Sequence, residues 1–493
     1  MNALTARTSA PWQTPPADNR SGSASDFEPG GTARGSFVIT LLCLYIFLLS
    51  SRVLDISRIA ILHIPLILLG LLTVATLAKG DLKYALRSKT TLWFIALNAW
   101  VCFCFPFSRW RGGSMPFIVT SLESLCVYFW IVQLIRTRKQ WRAVAKVYAL
   151  GVLVAAILSI FFGRSIDGRV SVVEGSLADP NEFALRLVLG LPFWWYLASQ
   201  LGIIGKIGCF LLTTPIFVSF ARAGSRSALL ALVALFGIMF LFVNVKQKAV
   251  MAAAAVVALA AGVALLPAYL KVRFTTLFMP HDASRLSVEE RTRLGGDIGS
   301  TESREMLLFQ AMRMTVQHPL VGIGPGVFGD VAWNQRKADS GIGGGLLVTH
   351  NTYTQFSSET GIPGFVCFLG TLLTSLLFCF SDYRRNRERD PSIAKASLYM
   401  FVCLVGLAAG IFFLSVGYGM LLAVLFGLAA SLHLVVASET TDAQIVSPSE
   451  PALQESPIAA ARPKLRENRV NGRRVRFGRF AVGERSSSRP RLH

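Results

Sequence analysis

The chain has 493 residues, of which 53% are hydrophobic and only 16% charged, with a mean hydropathy of +0.52. Soluble domains carry about a quarter charged residues, so this composition excludes an ordinary soluble protein and leaves a polytopic membrane protein. The net charge of +21 is concentrated in loops and in a C-terminal tail tied to the membrane, which argues for anionic lipid as partner and against nucleic acid.

Residues 1–35 are polar and rich in Ser, Pro and Gly. They read as a disordered cytoplasmic segment without a cleavable signal peptide, so the first span must itself direct insertion. A transmembrane helix needs roughly 20 apolar residues. Such windows fall at residues 36–54, 58–78, 90–107, 115–135, 143–163, 182–202, 206–221, 227–245 and 249–269, then at 363–382, 396–416 and 418–437. The expected fold class is an all-α integral membrane protein with about twelve transmembrane helices. Its domains are helices 1–9 over 36–269, an outer helical subdomain over 270–362, and helices 10–12 over 363–437.

Orientation follows from the cationic loops, because Lys and Arg near span ends stay on the cytoplasmic side. Lys79, Lys83, Arg87 and Lys89 follow the second window, and Arg136, Arg138, Lys139, Arg142 and Lys146 follow the fourth. Lys206, then Lys246 and Lys248, then Arg384, Arg385, Arg387 and Arg389 fall on the same side of the alternation. Both termini are therefore expected inside, and the loops 164–181, 222–226 and 270–362 outside. The eight cysteines all lie in apolar windows, which implies neither a disulfide framework nor a Cys-based metal site.

Along the outer loops, Asp179-Pro180-Asn181-Glu182-Phe183 reads first as a turn that caps a helix; Asp179 or Glu182 could also orient a histidine or an arginine. Arg222 and Arg226 stand at the mouth between two spans, where arginine is costly unless it is paired, functional or snorkelling to headgroups. Guanidinium binds phosphate bidentately and stays charged, so both are candidate anion ligands, with Arg164, Arg169, Arg273, Arg285, Arg291, Arg293, Arg304 and Arg313 as further outer-face cations.

The 270–362 loop is too long to be structureless without a purpose. Apolar positions from Arg304 to Met314 recur at helical spacing behind Thr301-Glu302-Ser303, predicting a helix that ends near His318-Pro319. Gly322-Ile323-Gly324-Pro325-Gly326 and Gly341–Gly345 supply turns, and neither ends in the Gly-Lys-Ser/Thr of a phosphate loop. A second helix is predicted from about Asn351 to Thr360, closed by Gly361 and Pro363. His350, expected in its first turn, is placed to stay neutral and accept a proton, or merely to cap the helix. Trp333, Tyr353 and Phe328 are candidate sugar-stacking surfaces, although an aromatic in such a loop is more often a core residue. No His-x-x-x-His or acidic cluster suggests a metal.

The tail, residues 438–493, is expected to be disordered and cytoplasmic. Between Arg462 and Arg491 it carries eleven Arg or Lys against Glu467 and Glu484, which suits an anchor on anionic lipid.

His350-Asn351, nine residues, Gly361, two residues and Gly364 resemble a signature of the O-antigen ligase and O-antigen polymerase-like superfamily of bacterial membrane proteins. Ser225-Arg226 with the following Ala-Leu-Leu resembles that superfamily's Ser-Arg motif. Ser303-Arg304 with its helix and His318–Phe328 resembles the loop pattern, and Asp179–Ala184 another recurrent segment. One departure is Ser227, where the family commonly has Gly.

The resemblance implies transfer of a glycan from an undecaprenyl-diphosphate carrier to a hydroxyl of another glycan, a lipid A core or a protein, at the periplasmic face of the inner membrane, without metal or other cofactor. In that scheme His350 is the base, and Arg222, Arg226 and Arg304 bind the diphosphate. Asn351, Asp179, Glu182, Gly361 and Gly364 support the site. The rival readings are a transporter or flippase of lipid-linked anionic glycans, and a non-catalytic partner in polysaccharide export.

Overall fold

The computed structural model describes residues 33–56, 64–78, 83–166, 169–172, 179–253, 256, 304–340 and 347–446. The expectations for residues 1–32, for most of the 249–269 window, for Arg273, Arg285, Arg291 and Arg293, for the Gly341–Gly345 turn and for the basic tail lie outside the described residues. The chain divides into one unit through Asp442 and another from Ala443; of the latter, only the end of the final helix is described.

The described helices are α1 (Ala33–Ser51), α2 (Ile64–Ala78), α3 (Lys89–Cys104), α4 (Arg111–Leu134) and α5 (Arg138–Phe162), followed by α6 (Pro180–Ser199), α7 (Ile203–Leu212), α8 (Thr214–Ala223) and α9 (Arg226–Phe242). Then come α10 (residues 304–317), α11 (Phe328–Ser340), α12 (Thr352–Asn386), α13 (Pro391–Gly410) and α14 (Met420–Val446). Among the described residues, seven helical stretches are long and apolar enough to cross a membrane: Lys89–Phe107, Arg111–Leu134, Arg138–Phe162, Ile203–Ala223, Thr352–Asn386, Pro391–Phe413 and Met420–Glu439. Phe37–Ser51, Ile64–Ala78 and Arg226–Phe242 are shorter apolar helices.

The chain is thus a helical multi-pass membrane protein, with local departures from the sequence expectation. The 206–221 window is two helices rather than one, because Pro215 in the first turn of α8 lacks the N–H that a continuous helix would need. Within the expected 164–181 loop, β1 (Arg164–Ile166) pairs antiparallel with β2 (Arg169–Ser171), Arg164 opposite Ser171, a short hairpin within an otherwise helical fold that fits the all-α class. The helix expected from about Asn351 to Thr360 and the span expected from 363 are both present; they run on as α12 and meet at a break at Gly361, whose φ 72° and ψ −176° are not helical.

Helix starts follow local chemistry. Thr137 and Gln140 form a reciprocal capping box at α5. Asp179, Ser225, Asn351 and Asp390 each cap a helix with a side-chain oxygen. One large apolar core joins most of the described helices, with α12 packed on α3 and α13, and α13 on α6 and α9, and a second, small one holds α10 against α11. The eight cysteines are free.

The cationic loops gather at one end. Arg136 lies 3.5 Å over the Tyr84 ring, and the Ala85 N–H donates to Gln133 Oε1 at 3.2 Å. Arg138 pairs with both Asp390 and Glu439, while Lys395 Nζ donates to the Ser199 carbonyl at 3.4 Å. At the same end the His433 ring lies 2.8 Å from Asp382 and stacks on Phe378. The loops after α2, α4, α6 and α12 therefore share a face, as the alternation of charge required.

Candidate active site

At the opposite end, the polar motifs converge from separate parts of the chain. Asp179 caps α6 by accepting from the Asn181 N–H at 2.8 Å and from Asn181 Nδ2 at 3.0 Å. Asn181 Oδ1 in turn accepts from Arg169 Nη2 at 2.7 Å and from Ser225 Oγ at 3.0 Å. Ser225 also caps α9 by accepting from the Ala228 N–H, and it lies 3.0 Å from the Ser227 hydroxyl. One buried amide thus joins the start of α6, the start of α9 and the hairpin, because Arg169 donates from Nε to the Ala223 carbonyl as well. Arg226, the first residue of α9, is only 6% exposed beside this cluster, whereas Arg222, in the last turn of α8, is exposed.

His350 stands one residue before the cap of α12, outside its first turn, and its φ of 51° is in the left-handed region. Such backbone is uncommon for a non-glycine residue, and here it turns the chain into a fixed helix start. Asn351 Oδ1 accepts from Tyr353 N at 2.9 Å and Thr354 N at 3.2 Å. The rest of this start is tied to the segment between α13 and α14. Thr349 Oγ1 lies 2.6 Å from Ser415 Oγ, Thr352 Oγ1 donates to the Leu414 carbonyl at 2.5 Å, and Gly417 N donates to Gln355 Oε1 at 3.0 Å.

The basicity of His350 is held below the usual imidazole value by burial first and by the Arg304 cation second, with the Asp179 carboxylate acting the other way. Charges from two motifs of distant sequence position, at the start of α6 and on α10, thus act on the residue before α12. The cause is therefore burial and a neighbouring cation rather than the dipole of a first helical turn. A neutral imidazole is the form that accepts a proton.

The glycines of the two loop motifs lock these elements together. Gly361 has φ 72° and ψ −176°, and a Cβ there would stand 2.1 Å from the Leu320 carbonyl oxygen. The resulting break in α12 frees backbone carbonyls that accept from elsewhere. Ile323 N reaches the Ser358 carbonyl at 3.0 Å, Gly324 N the Glu359 carbonyl at 3.0 Å, and Trp100 Nε1 the Thr360 carbonyl at 2.8 Å. Gly364 sits one turn on, where a Cβ would meet Thr360 Oγ1 at 2.0 Å.

Other predicted positions fall elsewhere. Glu182 pairs with Arg186 at 2.8 Å within α6 and so orients an arginine that the sequence had not singled out. Phe328 is 1% exposed in a small core shared with Leu307, Ala311 and Met314, so it is a packing residue and offers no face to a sugar. Tyr353 donates its hydroxyl to the Ala408 carbonyl and packs edge-on to Phe368; Trp333 lies under the Lys337 ammonium. Asn181 and the 414–418 segment carried no signal of their own, because their role is contact across the fold rather than local pattern. Among the described residues, no three His, Cys, Asp or Glu side chains gather into a metal-binding group.

These features define a class: a polytopic helical membrane protein whose polar chemistry is assembled at one end of the bundle from a histidine, arginines and capped helix starts. Residues 209–369 match the family model of the O-antigen ligases (Wzy_C, "O-Antigen ligase"), and over that segment the chain is similar to the O-antigen ligase-like superfamily. The matched segment holds Arg222, Arg226, Arg304, His350, Gly361 and Gly364 and begins after Asp179 and Glu182. The similarity points to a membrane glycan ligase or polymerase. No curated protein matches the chain.

Proposed function

We propose that this protein transfers an oligo- or polysaccharide from an undecaprenyl-diphosphate carrier to an acceptor hydroxyl at the periplasmic face of the bacterial inner membrane, with both of its termini in the cytoplasm. His350 takes the proton of the acceptor hydroxyl, whose oxygen attacks the anomeric carbon. The carbon–oxygen bond to the diphosphate breaks with its electron pair, and the carrier leaves as the diphosphate anion. Direct displacement inverts the anomeric centre and forms no covalent enzyme intermediate.

Arg226 and Arg304 stabilise the negative charge that develops on the leaving group, in place of the divalent cation that could otherwise do so; Arg222, on the exposed rim, meets the diphosphate as it arrives. Asn351 and the two glycines set the position of His350, and Asp179 keeps its imidazole from being depressed further. The observation that carries this reading is the placement of a half-buried histidine within electrostatic reach of both Arg304 and Asp179. Arginine beside an imidazole keeps it neutral, and arginine is also the side chain that recognises phosphate.

The test is His350→Ala in reconstituted vesicles supplied with a lipid-diphosphate-linked oligosaccharide. Transfer is expected to fall by about 10²–10⁴-fold, the usual contribution of a general base, while donor binding persists. Undiminished transfer would reject the mechanism. Donor that crosses the bilayer without being joined to an acceptor would favour the flippase reading instead.

A further inference from the structure

Glu359 has no part in the chemistry above, yet its carboxylate is among the most completely engaged side chains of the molecule. It is 3% exposed. Its Oε2 accepts from the Gly326 N–H at 2.8 Å and from the Tyr418 hydroxyl at 2.8 Å, and its Oε1 accepts from the Phe328 N–H at 3.4 Å. A buried carboxylate is expensive unless its lone pairs are filled, and here donors come from two other segments. Tyr418 belongs to the segment between α13 and α14. Gly326 and Phe328 belong to the turn that closes α10 onto α11.

That turn is the floor of the small outer element that carries Arg304. Leu307, Ala311 and Met314 of α10 share one apolar cluster with Val327, Phe328, Val331 and Ala332, and Gln310 Nε2 donates to Gln335 Oε1 across the pair. The two helices are therefore packed as a unit, so that contacts to Gly326 and Phe328 also bear on the placement of α10. On the other side, Glu359 lies two turns beyond His350 on the segment of α12 that ends at the Gly361 break. Other ties at this seam include backbone contacts to Ile323, Gly324 and Ile362 and a hydroxyl pair, Thr315 with Ser357 at 2.9 Å.

We infer that Glu359 is a positioning residue of the transfer site, whose carboxylate fixes the Arg304-bearing helix pair onto the helix segment that carries His350 and so sets the distance between the cation and the base. This inference rests on the function proposed above. The charged groups acting on His350 are Arg304 and Asp179, and only Arg304 sits on the element that Glu359 holds.

The test uses full-length Glu359→Gln in vesicles. An amide presents one acceptor oxygen and turns an N–H toward donors, so it cannot fill both backbone contacts. Withdrawal of Arg304 is expected to raise the donor KM several-fold and to move the acid limb of kcat/KM to higher pH, toward the limb of Arg304→Ala. The double variant should show no larger displacement than Arg304→Ala alone. Tyr418→Phe, which removes only the third donor, should leave the limb in place, whatever it does to thermal stability. Should the Gln variant be recovered unfolded, Glu359→Asp, which keeps the charge but shortens the reach, is read in the same way. An unmoved limb in the folded variant, or a displacement that adds in full to that of Arg304→Ala, overturns the inference. If His350→Ala is inactive while Glu359→Gln keeps the parent limb, only the positioning role fails. If His350→Ala retains transfer, the mechanism fails first.

Discussion

Replacing Gly361 by Ala perturbs the single point at which α12 breaks. An L-residue in the region near φ 72°, ψ −176° costs on the order of 1–3 kcal/mol, because that conformation belongs essentially to glycine. The added Cβ would also stand 2.1 Å from the Leu320 carbonyl oxygen and 2.7 Å from that of Pro319. Both atoms are backbone, so the 318–322 turn must retreat. Its retreat removes the 2.7 Å bond from Ile362 N to the Pro319 carbonyl, a further ~0.5–1.5 kcal/mol. The sum is roughly 2–4 kcal/mol by these figures.

Gly364→Ala is the matched control. Its backbone is helical, and its Cβ would meet only side-chain atoms, Thr360 Oγ1 at 2.0 Å, which can rotate away at the expense of one bond within its own helix, and Thr360 Cβ at 2.7 Å, which needs a small shift of one helical turn but no rearrangement of backbone carbonyls. Thermal unfolding of the detergent-solubilised protein, followed by loss of the monodisperse peak, should place Gly361→Ala well below Gly364→Ala, with transfer activity lost more completely. Equal midpoints for the two variants, or a Gly361→Ala protein within about 1 kcal/mol of the parent, where that value is the usual effect of an ordinary substitution, would refute the claim that the break is enforced by backbone contact.

Because burial and Arg304 depress the basicity of His350, the base is fully neutral above the ordinary imidazole range, and activity is lost only as pH falls through the lowered value. The acid limb of kcat/KM is therefore expected below about 6.5, the unperturbed figure. Arg304→Ala should move it up and Asp179→Asn down; limbs unchanged in both variants would deny that these groups act on His350. Arg226→Ala should weaken donor binding more than Arg222→Ala, and Arg226→Lys should recover only part of it, as measured by binding of the lipid-diphosphate donor to vesicles; equal effects at the two positions would mean that burial does not distinguish them. EDTA should leave transfer unchanged, since the leaving group is assigned to arginine; chelator-sensitive activity would transfer that role to a metal. Asn181→Ala removes a charge-assisted bond to Arg169 and a bond to Ser225, so the donor KM should rise by about 10-fold or more, at roughly 1.4 kcal/mol per decade, with kcat little altered; an unchanged KM would assign Asn181 to folding alone.

What was legible in the sequence was whatever is written in local pattern. Apolar windows announced the helices, and alternating Lys and Arg announced that the loops after α2, α4 and α6 share a face, because both are one-dimensional signals of a two-phase environment. Gly361 could be marked as a break because glycine followed by Pro363 has few other meanings in an apolar run. The reading failed where geometry across the fold decides. Nothing in the run from Lys206 to Ala221 shows that a proline at its centre will divide it into two helices rather than kink one. Phe328 resembled a ligand-facing aromatic because an isolated loop gives no view of the core it seals. Asn181 passed as an ordinary turn residue, although its amide is where two motifs 44 residues apart in sequence meet.

The site draws its character from helix starts as much as from side chains. The first N–H groups of a helix lack internal partners, and their dipoles favour negative charge beside them. α6, α9 and α12 begin with Asp179, Ser225 and Asn351. The Asn181–Ser225 bond joins the first two starts, and the action of Asp179 on His350 brings in the third. In the proposed reaction an anion arriving here would meet Arg226 and Arg304 against a background of oriented amides, while burial and the Arg304 cation disfavour an imidazolium at His350. One arrangement therefore serves both halves of the proposed reaction: it keeps His350 in its proton-accepting form and receives the charge that leaves on the diphosphate. A bundle of apolar helices can supply that field only where its helices begin, which places the chemistry at the end of the bundle rather than at mid-membrane, where a translocation path would require it.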